Sequence, residues 1–160
     1  MSTTFSSDAN IQTTQIAIIG SGFGGLAMAI RLIQADIHDF IILEKADDVG
    51  GTWRENQYPG AACDVQSHMY SLSFAPKTDW SKRYAEAPEI FDYIQDLIQQ
   101  FDLKKYIQFN QEVVTTRYDE QNFNWHLTLK NGQKIISQFV IFASGPLHVP
   151  QVPKIKGIEK

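Results

Sequence analysis

Two glycine clusters and a few acids carry the chemistry this sequence can do. Gly20, Gly22 and Gly25 stand in the pattern Gly-x-Gly-x-x-Gly, with Ser21, Phe23 and Gly24 between them. In that spacing the first glycine turns the chain sharply. The second leaves main chain bare where a diphosphate can approach, and the third lets a helix sit close on the preceding strand. A helix starting there offers unpaired N–H groups and partial positive charge to an anion. Glu44 follows nineteen residues after Gly25, where an acid takes the ribose hydroxyls of a dinucleotide. Its charge would repel a 2′-phosphate at the same place. The pattern does not separate FAD from NAD. Gly50-Gly51-Thr52-Trp53 comes next. There, bare main chain could run along a ligand and the indole could cover a planar ring.

These residues need elements to hold them. Ile16–Ile19 is a short β-branched run ending in glycine, which predicts a buried strand of a parallel sheet. Leu26, Ile30, Ile33 and Ile37 recur at helical spacing and predict a helix of about fifteen residues. Phe40–Leu43 predicts a second buried strand, closed by Glu44. Strand, glycine turn, helix and strand make a βαβ unit, whose crossover is right-handed. Residues 46–86 read as largely irregular, with Pro59, Gly60, Pro76, Tyr58 and Trp80 among them. A loop that long inside a domain is usually functional. Pro88 precedes an amphipathic stripe of Ile90, Phe91, Ile94, Leu97, Ile98 and Phe101, predicting a helix. Short strands are expected around Ile107–Phe109, Val113–Tyr118, Trp125–Lys130 and Lys134–Phe142. Asn131-Gly132 predicts a type I′ hairpin turn between the last two. The fold class is therefore α/β: a Rossmann-like domain with a parallel sheet, plus a small antiparallel β-meander. Residues 1–14 are expected to be a flexible tail, 15–149 the domain, and 150–160, with two prolines, a connector.

Composition narrows the possibilities. Of 160 residues, 43% are hydrophobic and 20% charged, an ordinary globular balance, and the net charge is −4. No basic excess is present to release counterions from nucleic acid or to sit on anionic lipid. Cys63 is the only cysteine, so no internal disulfide framework can form. No apolar run reaches membrane-span length, and Met1–Gln15 lacks the pattern of a signal peptide. The expectation is a cytoplasmic protein that handles small molecules. His38, His68, His126 and His148 have no metal-ligand spacing. Asp64 and His68 form an acid–histidine pair at i, i+4 spacing, and Cys63 reads as a small buried residue.

Taken together, GSGFGG, ILEK, DVGGTW, NQYPGAACD and the late ASG resemble the N-terminal FAD-binding portion of class B flavoprotein monooxygenases. The likeness is closest to the Baeyer–Villiger monooxygenases and runs from about Gln15 to about Gly157. It implies that the glycine loop, Gly20 to Gly25, holds the FAD diphosphate and that Glu44, with Lys45 beside it, meets the adenosine ribose. Gly51, Thr52 and Trp53 would lie along the flavin side, and Tyr70 would match a tyrosine at the same cofactor. Val113 would meet the adenine through its backbone. Ala143-Ser144-Gly145 resembles the family's Ala-Thr-Gly strand end, with Ser144 keeping the hydroxyl. Asp64 would be the catalytic aspartate, placed near the isoalloxazine to hold and charge-balance an active-site arginine. Ala62 stands where many members carry arginine. NADPH would reduce the flavin, which adds O2 at C4a, and the peroxyflavin would attack a ketone to give an ester or lactone. The family's Phe-x-Gly-x-x-x-His-x-x-x-Trp signature and its NADPH-binding residues are expected beyond Gly157, in the remainder of a longer chain. Two alternatives stay open: a flavin-containing N- or S-oxygenating monooxygenase, and an inactive dinucleotide-binding fragment.

Overall fold

A computed structural model describes residues 11–147 and 149–158. The chain forms β1 (Ile11–Ile19), α1 (Phe23–Gln34), β2 (Phe40–Leu43), α2 (Thr52–Glu55), α3 (Ala87–Gln100), β3 (Ile107–Gln108), β4 (Val113–Asp119), β5 (Asn124–Leu129) and β6 (Lys134–Phe142). The six strands make one sheet in the order β3-β2-β1-β6-β5-β4. β3, β2, β1 and β6 run parallel, while β5 and β4 add antiparallel. The meander expected from the sequence is therefore joined to the parallel sheet, with β6 shared by both.

β2 and the Ile16–Ile19 run of β1 are apolar on both faces because both are covered. Ile16, Ile18 and Ile42 pack against Leu26, Ala29 and Ile30 of α1 and Ile94, Leu97 and Ile98 of α3. Ala17 and Leu43 meet Leu127, Leu129 and Ile135 of the meander on the other side. Each fully buried isoleucine or leucine contributes roughly 1.5–3 kcal/mol. This two-sided packing fixes the height of the glycine turn that follows β1.

Three local expectations need correction. Residues 11–14, assigned to the tail 1–14, belong to β1 and pair with Lys134–Ser137. Thr14 is buried there and donates its hydroxyl to Asp39 Oδ1 at 3.1 Å. Residues 1–10 of that tail lie outside the described residues. Helix α1 has twelve residues and stops before Ile37. Asp36 takes a left-handed conformation, φ 59°, and the Ile37 N–H returns to Leu32 O at 2.9 Å. That is a helix-ending motif whose apolar residue falls at helical spacing by coincidence of geometry. The Asn131-Gly132 turn is not type I′, since only Gly132 has positive φ, 87°. Gly132 N–H bonds Leu129 O and Leu129 N–H bonds Gln133 O, both at 2.9 Å, the pattern of a type I turn followed by a glycine bulge. Residues 149–158 carry no helix or strand.

Candidate functional site

The apolar run of β1 ends at Ile19, and the chain must turn at once to start α1. Gly20 does this at φ 103°, its N–H donating to Leu43 O at 2.9 Å. A Cβ on Gly20 would lie 2.7 Å from Ala143 O, so only a bare residue fits between β1 and the end of β6. A Cβ on Gly25 would lie 2.0 Å from Gly20 O. The turn and the first helical turn are thus in backbone contact, as the spacing predicts. Gly22 is the N-cap of α1, and no side chain caps the helix. The first N–H of the helix to close internally is that of Leu26, on Gly22 O at 3.1 Å. The N–H groups before it form an uncapped positive end.

Glu44 leaves the end of β2 and turns toward this loop. It is buried, and its carboxylate is fully placed by neighbours. Oε2 accepts the Ser21 N–H at 2.8 Å and the Ser21 hydroxyl at 2.6 Å, while Oε1 accepts the Ala46 N–H at 2.9 Å. A buried carboxylate is costly without such donors. Lys45 points elsewhere, 3.8 Å from the Glu55 carboxylate. The Gln111 N–H donates to Glu44 O at 2.8 Å, which brings Val113, at the start of β4, toward the same acid.

The second glycine pair lies alongside the first. Gly50 N–H bonds Ser21 O at 3.2 Å, and a Cβ on Gly51 would meet Gly22 Cα at 3.4 Å. Thr52 and Trp53 begin α2 directly after. Trp53 donates its indole N–H to the Tyr70 hydroxyl at 3.0 Å, and their rings meet edge to face at 5.7 Å. Phe23 joins the cluster, 5.5 Å from Tyr70. Burial pushes the Tyr70 phenol above its ordinary pKa, the Trp53 bond works against this, and the nearby Cys63 and Asp64 add to the rise. Asp64 itself is exposed, and no hydrogen bond joins it to His68. Ala143 closes the third side, its N–H on Ile19 O at 2.9 Å. Ser144 is exposed and Gly145 takes φ 73°.

The structure therefore gathers Gly20, Ser21, Gly22, Phe23, Gly24, Gly25, Glu44, Gly51, Thr52, Trp53, Tyr70 and Ala143 around the tip of α1. Sequence reading missed the Ser21 clamp on Glu44; its only signal was one hydroxyl residue inside a loop of glycines. It also missed Tyr93, which donates to Ala75 O at 2.6 Å and accepts the Leu72 N–H at 3.0 Å, holding the irregular stretch against α3. Among the described residues, no cluster of histidine, cysteine, aspartate or glutamate could hold a metal ion. Among them too, no helix is long and apolar enough to cross a membrane.

Comparison with known proteins agrees with this geometry. The chain is 42% identical over 145 residues to a Baeyer-Villiger monooxygenase of Streptomyces coelicolor, covering 91% of this chain and 28% of that protein. It therefore spans under a third of the length of that relative. The closed crystal structure of cyclohexanone monooxygenase superposes with a TM-score of 0.85 at 32% identity, covering 93% of this chain and 29% of that one. The crystal structure of OTEMO in complex with FAD and NADP gives a TM-score of 0.83 at 34% identity, over 91% of this chain and 28% of that one. The resemblance carried by the motifs is thus borne out along nearly the whole chain. The family described as pyridine nucleotide-disulphide oxidoreductase matches residues 17–160, and the chain belongs to it.

Proposed function

We propose that this chain forms the FAD-binding portion of a flavin-dependent, NADPH-using monooxygenase of the Baeyer–Villiger type, which turns ketones into esters or lactones with O2. One observation carries the reading: the uncapped, glycine-lined tip of α1 lies beside a buried carboxylate one strand over. The names of the relatives and the FAD and NADP held by one of the similar structures support it.

The residues fit an FAD molecule. Backbone N–H groups from Gly22 to Gly25 suit the diphosphate, and the nearest heavy atom to a Cβ on Gly22 would be Gly51 Cα at 3.9 Å, so the approach is open. Glu44 is set to take a hydroxyl of the adenosine ribose, and main chain near Val113 the adenine. Gly51, Thr52 and Trp53 line the path toward the flavin, with Tyr70 fixing the indole and Ala143-Ser144-Gly145 closing the opposite side. Bound FAD supplies electron transfer and oxygen activation that side chains cannot. The half-buried aromatic cluster of Phe23, Trp53 and Tyr70 would shield that end of the site from water once the cofactor is bound. Asp64, which is exposed, would by the family resemblance orient and balance an arginine contributed by the rest of the protein. NADPH, the ketone and O2 bind with that remainder. A dinucleotide cofactor and a lone cysteine accord with the cytoplasm.

The test is reconstitution. The purified chain, refolded with FAD and freed of excess ligand, is expected to be yellow with about one flavin per chain. A colourless protein with a native circular dichroism spectrum overturns the reading.

A further inference from the structure

Ser21 is the one fully buried hydroxyl in the glycine loop, and all of its polar groups are engaged. Its N–H and its hydroxyl both donate to Glu44 Oε2, at 2.8 and 2.6 Å. Its carbonyl accepts the Gly50 N–H at 3.2 Å. The residue thus ties the acid at the end of β2 to the first glycine loop, and that loop to the second.

The division of bonds on the carboxylate has a chemical consequence. Oε2 already holds two donors, whereas Oε1 holds only the Ala46 N–H, at 2.9 Å. A carboxylate oxygen accepts two hydrogen bonds comfortably. Ser21 therefore fixes the rotamer of Glu44 and leaves the free acceptor on Oε1. A free Glu44 side chain would have to be ordered when the ligand binds, at a cost of rotamer entropy.

We propose that Ser21 is a positioning residue that presets Glu44 for a ribose hydroxyl, so that the Ser21 hydroxyl, though itself away from the ligand, sets the preference for ribose over deoxygenated sugars. This rests on the FAD site proposed above and adds what orients its acid. The carboxylate recognises the ribose hydroxyl and the serine makes it ready. Without the hydroxyl the carboxylate keeps two backbone donors, the Ser21 N–H on Oε2 and the Ala46 N–H on Oε1, and loses its shortest bond, the one at 2.6 Å that pins Oε2 from a second direction.

The experiment titrates the chain calorimetrically with ADP and with 2′,3′-dideoxy-ADP, in the wild type, Ser21→Ala, Ser21→Cys and Glu44→Gln. Wild type is expected to prefer ADP by at least about ten-fold, the worth of one charge-assisted bond. In Ser21→Ala, ADP binding is expected to fall about ten-fold while dideoxy-ADP binding stays within two-fold, so the preference disappears. Ser21→Cys replaces the hydroxyl with a bulkier, weakly donating thiol and is expected to show the same selective loss, while circular dichroism spectra matching wild type guard against a folding defect in both variants. Equal weakening of both nucleotides in the serine variants would mean a merely structural role and overturns the proposal. Unchanged preference in them overturns it too. A wild type that binds neither nucleotide, or a Glu44→Gln variant that prefers ADP as strongly as wild type, overturns the site itself, an outcome distinct from failure of the serine alone.

Discussion

At the scale of single residues, two glycines of one motif do different work, and substitution separates them. At Gly25 a Cβ would sit 2.0 Å from Gly20 O and 3.4 Å from Ile18 Cγ2, inside the strand–helix junction. Gly25→Ala is therefore expected to unfold or strongly destabilise the chain, by several kcal/mol, since backbone must move on both sides. Gly22 has an ordinary φ of −77° and no close neighbour for a side chain. Gly22→Val should keep the fold, losing about 1 kcal/mol for a poorer N-cap, yet lose its flavin because a branched side chain takes the place of a phosphoryl group. Circular dichroism paired with the ratio of flavin to protein absorbance distinguishes the two variants. Retained flavin in Gly22→Val would place the diphosphate elsewhere. Glu44→Ala removes a buried acceptor and strands two Ser21 donors. It is expected to weaken FAD by about 1.5–3 kcal/mol, read as a ten- to hundred-fold rise in Kd.

At the scale of elements, α3 is the clamp on the long irregular stretch. Its apolar stripe packs on the sheet, and its Tyr93 reaches out to hold Leu72 and Ala75. Tyr93→Phe leaves a part-buried N–H and a buried carbonyl without partners and is expected to cost about 1–3 kcal/mol in urea unfolding. The pH dependence follows from the same burial. It pushes the Tyr93 phenol above its ordinary pKa, against a smaller opposing effect of the Leu72 N–H, and Tyr70 shifts the same way. A raised folded pKa means the native state holds the proton more tightly. The stability it gives is complete below the ordinary phenol value of 10.0 and is lost as pH rises through the folded one. Wild type should therefore lose stability steeply above that value, and Tyr93→Phe less steeply. Parallel slopes for the two proteins would remove this tyrosine from the account. Elements were legible in sequence where their pattern is local: the β-branched runs of β1 and β2, and the stripe and Pro88 of α3. They were illegible where a distant strand decides. Gln12, Thr13 and Thr14 are polar and read as tail, yet they pair with residues more than a hundred positions on, and Asp39 satisfies Thr14. The carboxylate of Glu44 was expected at the site, but its bonds to Ser21 and Ala46 depend on a rotamer that no spacing encodes.

At the scale of the whole molecule, the site belongs to no single segment. Residues 20–25, 50–53 and 143–145 meet only because β6 lies beside β1 and the irregular stretch folds back under α3. The sheet is the slow, non-local part of this fold, with β1 paired to a strand contributed from the far end of the chain. A ligand that bridges these stretches binds only when all of them are assembled, so its binding energy adds directly to folding stability. With FAD at a hundred times its Kd, the gain is about 2.7 kcal/mol. For a domain of this size, that raises Tm by roughly 5–10 °C. Scanning calorimetry across a series of FAD concentrations should show Tm climbing with the logarithm of free ligand, in one cooperative transition that carries the whole sheet. Riboflavin, which has neither diphosphate nor adenosine, should give no comparable rise, because it reaches neither the tip of α1 nor Glu44. If FAD and riboflavin shifted Tm equally, the energy of binding would reside at the aromatic end of the site and the glycine-lined helix would not be its anchor.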